Sequence, residues 1–204
     1  MGVAYGYTST KIDFSFAANA AGQTSAQAVM MKHAVSISAE RRVSERWSLQ
    51  LAIGSALGGS VEAFGATHDI LPGPFFSGGA SYRLLDGRGF APFVLASASL
   101  GASLGWTRQR DLSDASAVAM YAIDGRLGLV AGKTIAGVVS PYLALRAFGL
   151  PVFWTLQGAA ATGTDAYHYQ AGVGVSIKIK NTDLIVEGVP FGEKALTIGS
   201  GFAF

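Results

Sequence analysis

The chain contains no cysteine, which excludes a disulfide scaffold or a thiolate metal site and fits an oxidising envelope compartment where a stray thiol is a liability. Charge is also scarce: 14% of the 204 residues are charged, against roughly 25% in a typical soluble domain. The 15 Lys and Arg and 13 Asp and Glu are scattered rather than clustered, so there is no nucleic-acid footprint. Long hydrophobic runs are missing as well. Nothing reaches the ~18 consecutive apolar residues that a membrane-spanning helix needs, and the longest candidate, 90–106, is interrupted by Ser, Gly and Pro. The glycines do not form a phosphate-binding loop ahead of a helix, and the three histidines are not paired. No cofactor and no metal are expected. The N-terminus lacks a basic region followed by an apolar run, so an exported chain is expected to be numbered here without its signal peptide.

What is present is apolar: half the residues are hydrophobic, and mean hydropathy is +0.37. That excludes disorder. An apolar chain without spanning helices can still live in lipid as a closed β-barrel. The periodicity agrees. Trp47, Leu49, Leu51 and Ile53 alternate with Ser48, Gln50, Ala52 and Gly54, and Val173, Val175, Ile177 and Ile179 alternate with Gly172, Gly174, Ser176 and Lys178. This is the apolar-out, small-or-polar-in pattern of membrane strands. A soluble sandwich shares the period with its apolar face inward; strand length, scarce charge and the chain end favour the barrel.

Short polar connections at 43–47, 85–90, 132–138 and 180–183 alternate with longer spans at 18–29, 60–75, 107–117 and 150–166 and a tight turn at 191–194. This asymmetry predicts ten strands: 3–17, 30–43, 47–59, 75–85, 90–106, 117–132, 138–149, 167–180, 184–190 and 195–204. Eight is the alternative count. The expectation is one domain over 1–204, all-β, a closed antiparallel transmembrane barrel. Apolar parity changes between Tyr7 and Ile12, which predicts a bulge near Ser9–Thr10. Aromatic girdles are expected from Trp47, Tyr82, Phe90, Phe202 and Phe204 at one end, and from Phe14, Phe16, Trp106, Tyr167 and Tyr169 at the other.

The last residues carry a further signal. Thr197, Gly199, Phe202 and Phe204 fit the pattern polar–x–Gly–x–x–aromatic–x–aromatic. In these eight residues the chain resembles bacterial outer-membrane β-barrel proteins, whose assembly machinery reads such an ending. The resemblance implies location in the bacterial outer membrane. It also implies contact with outer-membrane lipid, lipopolysaccharide and the barrel assembly machinery.

With the apolar face in lipid, the lumen receives Lys32, Ser36, Ser38, Glu40, Arg42, Gln50, Ser77, Ser81, Arg83, Ser97, Ser99, Asp124, Arg126, Arg146, His168, Gln170, Lys178, Glu187 and Thr197. Placing Arg or Lys in mid-bilayer instead would cost roughly 2–4 kcal/mol each. A turn centred near 135 would set Asp124 opposite Arg146. An ion pair is expected there, with Arg126 and Glu187 nearby and Glu40 and Lys178 as further lumen charges.

Candidate catalytic groups are few. The omptin family of ten-stranded outer-membrane proteases carries an Asp pair and an Asp–His pair at rim positions similar to those of His68, Asp69, Asp165 and His168. This chain has no Asp pair, and its spacing differs. Lipid A deacylases need His–x–Ser, whereas His168 is followed by Tyr169 and Gln170. His33 falls on the lipid face. Arg108, Arg110, Asp111 and Asp114 form a charged loop group able to touch lipopolysaccharide phosphates. The leading expectation is therefore a non-enzymatic barrel, either a narrow channel for small polar solutes or a structural membrane component. An interaction module (subunit, adhesin or receptor) acting through 60–75, 107–117 and 150–166 is the alternative, because 71–76 and 150–161 carry Leu, Phe and Trp; a rim hydrolase comes third.

Overall fold

The computed structural model describes residues 1–17, 24–112, 116–149, 151–156 and 159–202. Its elements are β1 (Gly2–Phe16), β2 (Ser25–Arg42), β3 (Trp47–Ala63), β4 (Ala66–Leu71), β5 (Gly73–Asp86), β6 (Phe93–Gln109), β7 (Val118–Gly132), β8 (Val139–Gly149), β9 (Val152–Leu156), β10 (Ala159–Asp165), β11 (Tyr169–Ile179), β12 (Thr182–Phe191) and β13 (Lys194–Phe202). All pairings are antiparallel, and β1, β2, β3, β5, β6, β7, β8, β11, β12 and β13 close into a ring of ten through β13–β1. The Met1 amine donates to the Phe202 carbonyl at 2.8 Å, so β1 and β13 meet at the end that also holds the 43–46 turn, here the turn end.

Toward the opposite, loop end, a second ring forms on the same wall. β4 replaces β5 between β3 and β6. β9 and β10 bridge β7 directly to β1, bypassing β8, β11, β12 and β13. This upper tier therefore has eight strands: β1, β2, β3, β4, β6, β7, β9 and β10. The barrel ring has the expected ten strands, and the eight-stranded tier is a second ring stacked on it.

The change of count changes what fills the interior. Eight strands leave a space that side chains just fill, whereas ten leave more. In the upper tier Ile12, Phe14, Met30, Val61, Ile70, Val152 and Trp154 all point inward and form one buried core. In the lower tier the filling is looser: inward Ile185 is 37% exposed, while inward Ile12 is 1% exposed, although Ala144, Gln170 and Glu187 remain buried. The outward face inverts correspondingly. Lower-tier outward residues such as Leu51, Ile53, Leu127, Leu143 and Ile198 are apolar and exposed. Toward the rim of the upper tier outward residues become polar, as with Lys11, Asp13, Gln27 and Glu62, and Gln27 donates to Asp13 at 2.9 Å. The apolar band marks the depth of hydrocarbon; its edge runs through outward Trp106, Tyr121 and Phe153 at the base of the upper tier, and the tier's rim stands beyond it.

Several sequence expectations are corrected. β1 has no bulge: its register with β2 runs unbroken from Gly2 to Ser15. The parity change at Tyr7–Ile12 is the exit from lipid, where apolar side chains switch from outside to inside without any change of backbone. Phe14 and Phe16 consequently belong to the interior and not to a girdle. A bulge lies in β3, where His33 pairs with Gly58 but Ala34 pairs with Ala56. Gly58 and Gly59 both have φ of 151°, and a Cβ on Gly59 would lie 2.0 Å from the Met31 carbonyl oxygen. The slip switches β3 to odd-inward and delivers Val61 and Ala63 to the core. The expected loop 60–75 is two strands joined by a two-residue turn at Phe64–Gly65, both with positive φ. The expected loop 150–166 holds β9 and β10.

Candidate functional site

The lumen charges converge below the core. On β7, residues 124 and 126 share the inward face, and Arg126 donates from Nε and Nη2 to the Asp124 carboxylate at 2.7–2.9 Å. Arg126 Nη1 also lies 3.3 Å from Glu193 Oε2, in the turn between β12 and β13. Arg146 on β8 reaches across β11 to Glu187 on β12, with two bonds of 2.6 and 2.8 Å. Gln170 on β11 lies between the halves; its neighbours assign the amide orientation in which nitrogen donates to Glu193 Oε2 and oxygen accepts from Arg146 Nη1, each at 3.2 Å. One polar chain thus runs Asp124–Arg126–Glu193–Gln170–Arg146–Glu187.

The expected Asp124–Arg146 pair does not form. The β7–β8 turn closes on Ile135 and Val139, so Arg146 sits opposite Gly128, four residues from Asp124 along β7. At about 3.3 Å per residue this separates them by roughly 13 Å. Each finds another partner. Glu40 and Lys178 lie apart from the chain, exposed near the turn end opposite Gln50 and Asp183. Glu193 went unassigned in the sequence because it sits in a turn; the Phe191–Gly192–Glu193–Lys194 motif signals only the turn, not the inward tilt.

Above this network lies a cavity of about 330 Å³. Ile12, Met30, Ile70, Met120 and Val152 form its apolar ceiling, Asp165 stands at the ceiling's edge, and Asp124, Arg126 and Glu193 line the cavity below. Asp165 ends β10 opposite Ile12, beyond the apolar band. Burial, with help from the Glu193 and Asp124 carboxylates, pushes the Asp165 carboxyl up to about 6, against the opposing pull of Arg126 and the Thr10 hydroxyl.

The histidines and carboxylates of the rim do not assemble. His68 points inward, its ring edge-on to Trp154 at 5.1 Å, and desolvation lowers its basicity. The adjacent Asp69 points outward to Arg110, with bonds of 2.9 and 2.5 Å that hold its carboxyl below the ordinary range. The ring of His168 lies near Gly149. Among the described residues, no His pairs with an Asp or Glu, and no group of three potential ligands could hold a metal. His33 is outward and accepts or donates at 2.6 Å with the Tyr5 hydroxyl while packing on Tyr7. Asp114 and Phe204 lie outside the described residues. Of the chain-end signal, Thr197 and Gly199 face the lumen beside Gly6 and Ala4, and Phe202 faces outward.

No family model matches the sequence, and no curated protein is similar to it in sequence. Among solved structures, the chain is similar to the outer-membrane protease OmpT of Escherichia coli, with a TM-score of 0.51 at 10% identity over 98% of this chain and 93% of that one. The fold is that of an outer-membrane β-barrel. The transport unit of the autotransporter AIDA-I from Escherichia coli aligns to the barrel with a TM-score of 0.44 and 9% identity, over 100% of this chain and 91% of that one. The translocator domain of NalP from Neisseria meningitidis gives 0.44 and 12%, over 100% and 89%.

Proposed function

We propose that this chain is an integral bacterial outer-membrane barrel that does not conduct, a structural membrane component whose lumen is sealed toward the outside and open toward the periplasm. The observation that carries this is the eight-stranded tier filled by Ile12, Phe14, Met30, Val61, Ile70, Val152 and Trp154. A channel for small polar solutes needs a continuous polar path, and this core interposes a dry layer across the barrel. The orientation follows from the short turns gathered at one end and from the polar rim rising beyond the apolar band at the other.

In the segments considered for partner binding, Ile70, Val152 and Trp154 turn inward, while Phe76 and Phe153 stay outward on the apolar band and its edge, which favours a structural role over an interaction module. The scatter of His68, Asp69, Asp165 and His168 favours a non-enzymatic role in the same way. Lipopolysaccharide is the lipid that would meet outward Lys11 and Arg108, and the assembly machinery is the partner that would read Thr197, Gly199, Phe202 and Phe204. Reconstitution into planar bilayers tests the sealed reading. Insertion without stepwise current supports it, and a steady, salt-dependent current overturns it.

A further inference from the structure

We propose that the cavity beneath the apolar core is a binding site for a small amphiphile carrying one positive charge, an alkylamine or arylalkylamine, with Asp165 as its counter-charge. The inference rests on the reading that the lumen opens toward the turn end, which gives the ligand its entry. The volume of about 330 Å³ lies at the lower edge of the range for small-molecule sites, with their apolar walls and few convergent polar groups. Here the two kinds of wall meet at Asp165. Ile12, Met30, Ile70, Met120 and Val152 offer an apolar ceiling for a hydrocarbon body, Asp165 stands at its edge in the row of Ile12, and Asp124, Arg126 and Glu193 lie beneath.

The sign of the ligand's charge follows from how those groups are already matched. Asp124, Glu193 and Asp165 are three carboxylates around one guanidinium. Arg126 is committed to the first two, through bidentate bonds to Asp124 and a 3.3 Å ion pair with Glu193. Among the described residues Asp165 has only the Thr10 hydroxyl, at 3.4 Å, and no cation within ion-pair distance. Lys32 also lines the cavity, but its row is Thr8 on β1, four residues below the Ile12–Asp165 row, and it makes no ion pair with Asp165. An ammonium group fits the carboxylate left over, and an alkyl or aryl tail fits the apolar ceiling beside it.

The methionines allow the test to be read inside the barrel. Met30 and Met120 line the ceiling, whereas Met31 faces outward from β2. The barrel, labelled at its methionine methyl groups and held in lipid nanodiscs, is titrated with octylamine, octanol and octanoate while the methyl resonances are followed. Octylamine is expected to shift Met30 and Met120 saturably, with Met31 following only the linear drift of partition into lipid. Asp165→Asn is expected to weaken octylamine at least tenfold, and Asp165→Glu to retain binding. Three results each overturn the proposal: no saturable shift at Met30 or Met120, octanol or octanoate binding as tightly as octylamine, or unchanged affinity in Asp165→Asn. Current through the wild-type barrel in bilayers would instead remove the sealed reading, so the two failures are separable.

Discussion

Trp154 on β9 donates its indole N–H to the Thr107 hydroxyl on β6 at 2.9 Å, both side chains being buried inside the eight-stranded tier. The bond spans the lumen side of β7 and satisfies the one polar atom that the indole brings into an apolar core. Leaving such a donor unpaired costs about 1–3 kcal/mol. Thr107→Val should therefore destabilise the barrel by that amount in urea unfolding from lipid vesicles. In a double-mutant cycle with Trp154→Phe, the loss on adding Thr107→Val should largely vanish, because no donor remains to be orphaned. Additive losses would contradict the pairing.

The Arg146–Glu187 bridge predicts an asymmetry between removing one charge and removing both. Its side chains are 23% and 10% exposed. Arg146→Met leaves Glu187 in a confined lumen without its cation and should cost about 3 kcal/mol. Combining it with Glu187→Leu should recover most of that loss. Urea midpoints of the two variants decide it.

Asp165 makes stability depend on pH. Its carboxyl, ordinarily near 3.8, is raised to about 6 in the folded barrel, chiefly by burial, with Glu193 and Asp124 acting in the same direction. Arg126 and the Thr10 hydroxyl, which face it from β7 and β1, act in the opposite one. A raised carboxyl favours the protonated fold, so its contribution is fully present below about pH 4 and is lost as pH rises through about 6. Asp165→Asn should be more stable than the wild type at pH 7.5, by on the order of 1 kcal/mol given the partial exposure of the group. The two should converge near pH 4. A variant less stable than the wild type at both pH values would contradict the assignment.

The bulge in β3 depends on Gly59. A Cβ there would meet the Met31 carbonyl oxygen at 2.0 Å, on a backbone with φ of 151°. Gly59→Ala should cost at least about 2 kcal/mol or prevent assembly. Gly65→Ala, in the open turn after β3, should cost less, its penalty coming only from positive φ. Fractions folded in the heat-modified gel shift separate the two.

Much of the barrel was legible because lipid imposes alternation: wherever strands cross hydrocarbon, as at Leu49–Ile53 and Val173–Ile179, apolar positions repeat every second residue and define strand, face and ring. The upper tier was not legible for the same reason. There the rule reverses, so Ile12, Phe14 and Phe16 read as a slipped strand, while Phe64–Gly65 lacks the Asn or Asp that usually marks a positive-φ hairpin. The network was half legible. Parity supplied Asp124, Arg126, Arg146, Gln170 and Glu187 as inward. The pairing required the β7–β8 register, which Ala136 and Gly137 set two residues beyond the apparent turn centre.

The three tryptophans provide the most direct measurement. Trp47 and Trp106 face outward, at 48% and 36% exposure, and Trp154 is 3% exposed within the core. Variants retaining one tryptophan each, with Phe at the other two positions, are reconstituted and quenched with brominated lipid and with aqueous iodide. Brominated lipid should quench Trp47 and Trp106, and neither reagent should quench Trp154. Iodide quenching of Trp154 as strong as that of a solvent-exposed indole would mean that water fills the upper barrel, and would contradict the sealed core.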